Sequence, residues 1–143
     1  MSLTNPDRLF PVEPRLRDMA RAFYESVRDL PIISPHGHCE PRWFAENNRF
    51  PNPAELLVVP DHYLLRMLAS QGVPLTDLGV LRADGSKTEE DPRAIWQRFA
   101  AHYHLFRGTP SAIWLDHSFE HLFGIDKVLS ADTANAYYDH IDN

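Results

Sequence analysis

Two histidines separated by a glycine, His36-Gly37-His38, are the residues of this 143-residue chain whose spacing best suits metal chemistry. They follow a short β-branched run, Leu30-Pro31-Ile32-Ile33-Ser34, and on a strand residues two apart point to the same side. The two imidazoles can therefore share one ion, while Gly37 lets the backbone crowd against it. Neutral imidazole suits zinc and similar transition ions. Two such ligands leave positions for a carboxylate, water and substrate, which is the open arrangement of a catalytic site and not the closed one of a structural zinc. The bland alternative for the same string is a polar turn. Cys39 falls on the opposite strand face and reads as a packed thiol.

Two further strings carry titratable side chains at suggestive spacing. In Asp61-His62-Tyr63, aspartate is a strong N-cap, so the residues by themselves read as a helix start in which Asp61 caps and Tyr63 packs. In His117-Ser118-Phe119-Glu120-His121 the order H-x-x-E-H matches one class of zinc peptidase, and His117 and His121 share a helix face. Asp116 and Glu120 make that face polar, and a solvated face needs no metal, so the peptidase reading is set aside.

The elements that must position these groups are mostly helices. Leu16, Met19, Ala20, Phe23, Tyr24 and Val27 form one apolar stripe, which predicts a helix over 16–27 with a buried face. Pro35 and Gly37 then end a predicted strand at about 31–36. Residues 41–46 suggest one or two helical turns, and Asn52-Pro53 pairs an N-cap with proline at the first helical position. Leu64, Leu65, Met67 and Leu68 give 61–71 an apolar face, with Gly72 placed for a left-handed terminus. Asp91-Pro92 and Thr109-Pro110 repeat the cap-then-proline signal ahead of two longer patterns. In the first, Ile95, Phe99, Tyr103 and Phe106 step by four, four and three; in the second, Ile113, Leu115, Phe119, Leu122 and Phe123 accompany Trp114, and Gly124 ends the run. Residues 75–90 read as a connection, and Ser130 as the start of a last helix. Trp96 and Trp114 are assigned to the core. A lone strand among helices needs partners for its backbone groups, so the chain either dimerises through it or is part of a larger sheet.

Composition limits the alternatives. Hydrophobic residues are 43% and charged residues 24% of the chain, as in ordinary globular proteins, which excludes disordered and fibrous classes. The net charge of −6, from 20 acidic and 14 basic residues, lacks the footprint of a nucleic-acid binder. The longest apolar runs, such as residues 56–59, cannot span a bilayer. One cysteine and no secretory pattern make a reducing cytoplasm the expected compartment. The length falls short of the roughly 250 residues of a complete eightfold barrel.

The stretch from Leu30 to His38, followed by Trp43-Phe44-Ala45-Glu46-Asn47 and Phe50, resembles the first barrel strand and following segment of uronate isomerases. Asp61-His62-Tyr63, Arg66 and Gln71-Gly72-Val73 are similar to a later part of the same family. So are Leu105-Phe106-Arg107-Gly108-Thr109-Pro110, Trp114 and Phe123-Gly124-Ile125. The resemblance implies an α/β protein of the amidohydrolase superfamily, a distorted, metal-dependent (β/α)8 barrel with a helical subdomain. Residues 1–143 would supply its N-terminal portion: the first strand at 31–36 and a helical region at 41–143, predominantly α, with the rest of the barrel absent.

The activity implied is aldose–ketose isomerisation of D-glucuronate to D-fructuronate and of D-galacturonate to D-tagaturonate. By the same resemblance His36 and His38 are ligands of a divalent metal, with zinc the expectation, and a late aspartate is the third. His62 and Tyr63 reach the substrate, and either could serve as the acid or base in proton transfer. The partner is then a hexuronate, with no nucleic acid and no membrane, and a homo-oligomer is left open. The chain alone is expected to be inactive. Two other readings remain at this point: a metal-dependent hydrolase of the same superfamily, and a non-catalytic helical interaction fragment.

Overall fold

The structure is a computed structural model and describes residues 3–34 and 40–143. These residues fall into two compact units, one of residues 4–48 and one of Arg49–Asn143 joined by Leu3. Among the described residues the regular elements are all helical.

In the first unit, α1 (Pro14–Val27) starts where the Glu13 side chain accepts hydrogen bonds from the amides of Arg15 and Leu16 at 3.0 and 2.8 Å. Pro14 sits in its first turn, where a missing N–H costs nothing. The segment before it is tied back by an ion pair from Arg21 to Asp7 and by the Arg21 guanidinium 5.0 Å from the centre of the Phe10 ring. The predicted helix is present, but its predicted burial is not. Leu16, Met19, Phe23, Tyr24 and Val27 are all exposed, and no residue of α1 is buried. A short α2 (Pro41–Glu46), capped by Glu40, ends at Asn47 in a left-handed conformation with φ 49°.

The strand expected at 31–36 is corrected in part. Residues 31–34 carry no strand, and Ile32 and Ile33 are 94% and 92% exposed; Pro35 and His36 lie outside the described residues. The cause is the one that made the prediction awkward: strand backbone groups need a neighbouring strand, and the described residues offer none. The α/β class therefore becomes an all-helical one for the described residues.

In the second unit, α3 (Pro53–Leu57), α4 (His62–Ser70), α5 (Pro92–Ala101), α6 (Pro110–His121) and α7 (Ala134–Asp142) enclose an aromatic core. Side-chain caps hold four of their starts: Asn52 accepts from Glu55, Asp61 from Tyr63 and Leu64, Asp91 from Arg93, and Thr109 from Ala112. The face of Ile95, Phe99, Tyr103 and Phe106 is buried as its spacing predicts. α5 nevertheless stops at Ala101, and Tyr103–Phe106 continue as a 3-10 turn. Trp96 lies at the centre with no exposed surface, its indole N–H donating to the Ala134 carbonyl at 2.9 Å and its ring meeting Phe99 and Phe119. Gly72 follows α4 at φ 87°, the left-handed terminus that glycine tolerates.

Three further expectations change in this unit. The connection at 75–90 includes a 3-10 turn, Leu75–Leu78, that buries Leu78. The last helix starts at Ala134 and not Ser130, because residues 130–133 form a turn in which the Thr133 hydroxyl accepts from the Ser130 amide and donates to the Val128 carbonyl, each at 2.9 Å. Trp114 is 53% exposed, on the side of α6 away from buried Leu115 and Phe119, so it is not a core residue.

Candidate active site

The start of α4 places His62 and Tyr63 together. Asp61 Oδ1 accepts from the Tyr63 amide at 2.8 Å and from the Leu64 amide at 3.3 Å, fixing the first turn. Leu64 and Leu68 enter the core from the other side of the helix, so the polar start is held from beneath by apolar packing. The His62 and Tyr63 rings lie 4.3 Å apart between centres and are tilted by 31°. The Arg66 guanidinium sits 4.8 Å from the centre of the Tyr63 ring, within reach of a cation–π attraction. Of the helix-start reading, the cap by Asp61 is present, but the packing of Tyr63 is corrected: its side chain is 57% exposed, and His62 is exposed beside it.

Beside Tyr63 is a cavity of about 500 Å³, lined also by Met67, Phe106, Thr109, Pro110 and Ser111. A volume of that order accommodates a small organic ligand. One wall is the first turn of α6, where Thr109 Oγ1 accepts from the Ala112 amide at 3.2 Å. A helix start carries partial positive charge and favours anionic groups; Arg66 is not among the residues that line the cavity. The cavity thus sets Tyr63 beside a helix start. Sequence reasoning found Thr109-Pro110 as a helix start but gave it no place beside Tyr63. Met67, one turn after Tyr63 on α4, could have been placed there by helical spacing, but no local pattern could bring in Thr109, which meets Tyr63 only through the packing of α4 against the 3-10 turn Tyr103–Phe106.

His36 and His38 lie outside the described residues. Among the described residues no group of three or more histidine, cysteine, aspartate or glutamate side chains is placed to hold a metal ion.

The family model for glucuronate isomerase matches residues 14–143. The chain belongs to the glucuronate isomerase family. It is 58% identical over 141 residues to the uronate isomerase of Mesorhizobium japonicum, covering 99% of this chain and 30% of that protein. It is 56% identical to that of Rhizobium meliloti, covering 97% of this chain and 30% of that protein. Among solved structures it is similar to glucuronate isomerase from Caulobacter crescentus, with a TM-score of 0.88 and 51% identity over 98% of this chain and 29% of that one. Uronate isomerase from Thermotoga maritima gives a TM-score of 0.76 at 25% identity, over 96% of this chain and 28% of that one. The chain thus spans about 30% of the length of the curated uronate isomerases it matches. The helical arrangement described above is a portion of that family's fold. No helix among the described residues is long and apolar enough to cross a membrane.

Proposed function

We propose that this chain is the portion of a hexuronate isomerase that carries His62 and Tyr63 to the sugar acid, within a metal-dependent (β/α)8 barrel of the amidohydrolase superfamily. The reaction is the interconversion of D-glucuronate with D-fructuronate and of D-galacturonate with D-tagaturonate. The observation that carries the reading is the cavity beside Tyr63, at a capped helix start, in a chain of the glucuronate isomerase family. The family match favours isomerisation over the hydrolase alternative.

Moving the carbonyl from C1 to C2 takes a proton from C2, delivers one to C1, and transfers the O2 hydroxyl proton toward O1 through an enediol. A side chain within hydrogen-bond reach of C2 and C1 must hold the proton in transit. His62 and Tyr63 are adjacent and both accessible, so one can carry the proton while the other donates a hydrogen bond to the neighbouring oxygen. The cavity wall at Thr109, Pro110 and Ser111 orients the anionic end by the partial charge of the α6 start. His36 and His38 are the residues that would hold a divalent ion, zinc being the expected metal; such an ion would supply charge stabilisation at the enediolate oxygens. The chain by itself should be inactive, since the family's third ligand and remaining substrate contacts are not among its residues.

A chimera tests the proposal: this chain replaces the matching segment of the Mesorhizobium japonicum protein, and turnover of glucuronate is measured. The chimera should be active, and Tyr63→Phe or His62→Asn in it should lower kcat/KM by roughly 10²-fold or more, as loss of a general acid or base does. Unchanged kcat/KM in both variants would refute the assignment of these residues.

A further inference from the structure

The exposed face of α6 holds a pair of histidines that the isomerase reading does not use. His117 and His121 are both exposed, and their ring centres lie 4.5 Å apart with the planes at 45°. They are four residues apart on a helix of twelve, the separation that stacks side chains on one face. The string around them resembles a zinc-peptidase motif, but Phe119 between them is fully buried and Ser118 donates to the Trp114 carbonyl at 2.9 Å. What the face offers is two imidazoles one helical turn apart. Trp114 lies one turn earlier on the same helix and is 53% exposed.

The separation lets both rings reach one ion. A metal–nitrogen bond of about 2.0–2.1 Å plus about 1.2 Å from nitrogen to ring centre puts each centre about 3.2 Å from a shared ion, so two centres can lie up to roughly 6.4 Å apart, and these lie 4.5 Å apart. Two imidazoles with water in the remaining positions suit tetragonal copper(II) and nickel(II), and copper(II) binds nitrogen sites most tightly among the divalent first-row ions. We propose that His117 and His121 form a surface bis-imidazole site for a tetragonal divalent ion, copper(II) in preference to zinc, with water completing the coordination. His121 and Glu120 each engage a further neighbour, with which the ion competes.

The test is a titration of the chain with copper(II), followed by tryptophan fluorescence, since bound copper(II) quenches a nearby indole. It is done in the His36→Asn/His38→Asn background, so that failure of the isomerase metal site and failure of this one are distinguishable. Expected is saturable quenching that Trp114→Phe removes, and an affinity that His117→Asn or His121→Asn lowers by at least the roughly 10–100-fold that even outer-shell changes cost a metal site. Circular dichroism checks that the variants keep their helices, which substitution at exposed positions should not disturb. Zinc(II), followed by its competition with copper(II), should bind at least about tenfold more weakly, in line with the affinity order of the divalent ions. Copper quenching that is unchanged by both histidine substitutions, or that disappears only when Trp43 is replaced by Phe, would overturn the proposal.

Discussion

Residues 4–48 and 49–143 both contain a helix with a clear apolar stripe, α1 in the first unit and α5 in the second, yet the two stripes meet opposite fates. In α5, Ile95, Trp96, Phe99 and Ala100 are buried; in α1, Leu16, Met19, Phe23, Tyr24 and Val27 are exposed by about half or more. Periodicity says that a helix has a face to bury, but burial needs surfaces to receive it. α5 has α3 and α7 packed against it within its own unit. α1 has the segment of Asp7 and Phe10, which reaches Tyr24 and Arg21 but leaves the rest of the stripe uncovered.

The largest effect that could break this contrast is loss of the central indole. Trp96→Ala should destabilise residues 49–143 by about 3–5 kcal/mol and remove their cooperative denaturant transition. Phe23→Ala, also an aromatic deletion in a helix, should change that transition by less than about 0.5 kcal/mol, as exposed substitutions do. Equal losses would erase the distinction between the units.

A smaller effect is expected from Gly79→Ala. Gly79 has φ 80°, and a Cβ there would come within 2.9 Å of Ile95 Cδ1, so strain and overpacking together should cost roughly 1–3 kcal/mol. Smaller still is the cap at the candidate site: Asp61→Ala should cost about 1 kcal/mol, and in the chimera should also reduce turnover by loosening the first turn under Tyr63. Both are read by urea melts.

Two predictions sharpen the contrast by other means. The Tyr103 hydroxyl donates to Asp116 Oδ1 at 2.8 Å, and burial, then that bond, raises its pKa well above the ordinary 10.0. Burial likewise raises Tyr137. A raised folded-state value means the neutral form is favoured on folding. The stability it gives is intact below pH 10 and falls as pH rises beyond it, where unfolded tyrosine ionises. Alkaline titration should therefore melt the second unit above that pH, and Tyr103→Phe should blunt the effect. In the first unit the uncovered stripe should promote self-association; light scattering on Phe23→Glu/Val27→Lys should show smaller particles than the unsubstituted chain.

How much of this was legible in the sequence follows the same division. Asn52-Pro53, Asp91-Pro92 and Thr109-Pro110 marked three helix starts because capping is local chemistry, and the stepping of Ile95, Phe99, Tyr103 and Phe106 marked a core face because a single helix carries it. Trp114 and the α1 stripe were misread as buried because apolar character does not reveal whether a neighbour exists. The strand at 31–34 failed for the same reason, its pairing partners being absent from the described residues. The assignment of His62 and Tyr63 to the site comes from family resemblance alone; Met67 beside Tyr63 follows from helical spacing, while Thr109 joins their cavity through long-range packing that no motif encodes. His36 and His38 remain an expectation from spacing.

Amide hydrogen exchange on the 143-residue chain, resolved by segment, tests most directly the claim that residues 49–143 form the stable scaffold behind Tyr63. The account predicts that buried amides of α5, α6 and α7 exchange only through global unfolding, while those of α1 exchange orders of magnitude faster. Protection of α1 equal to or greater than that of α5 would contradict it.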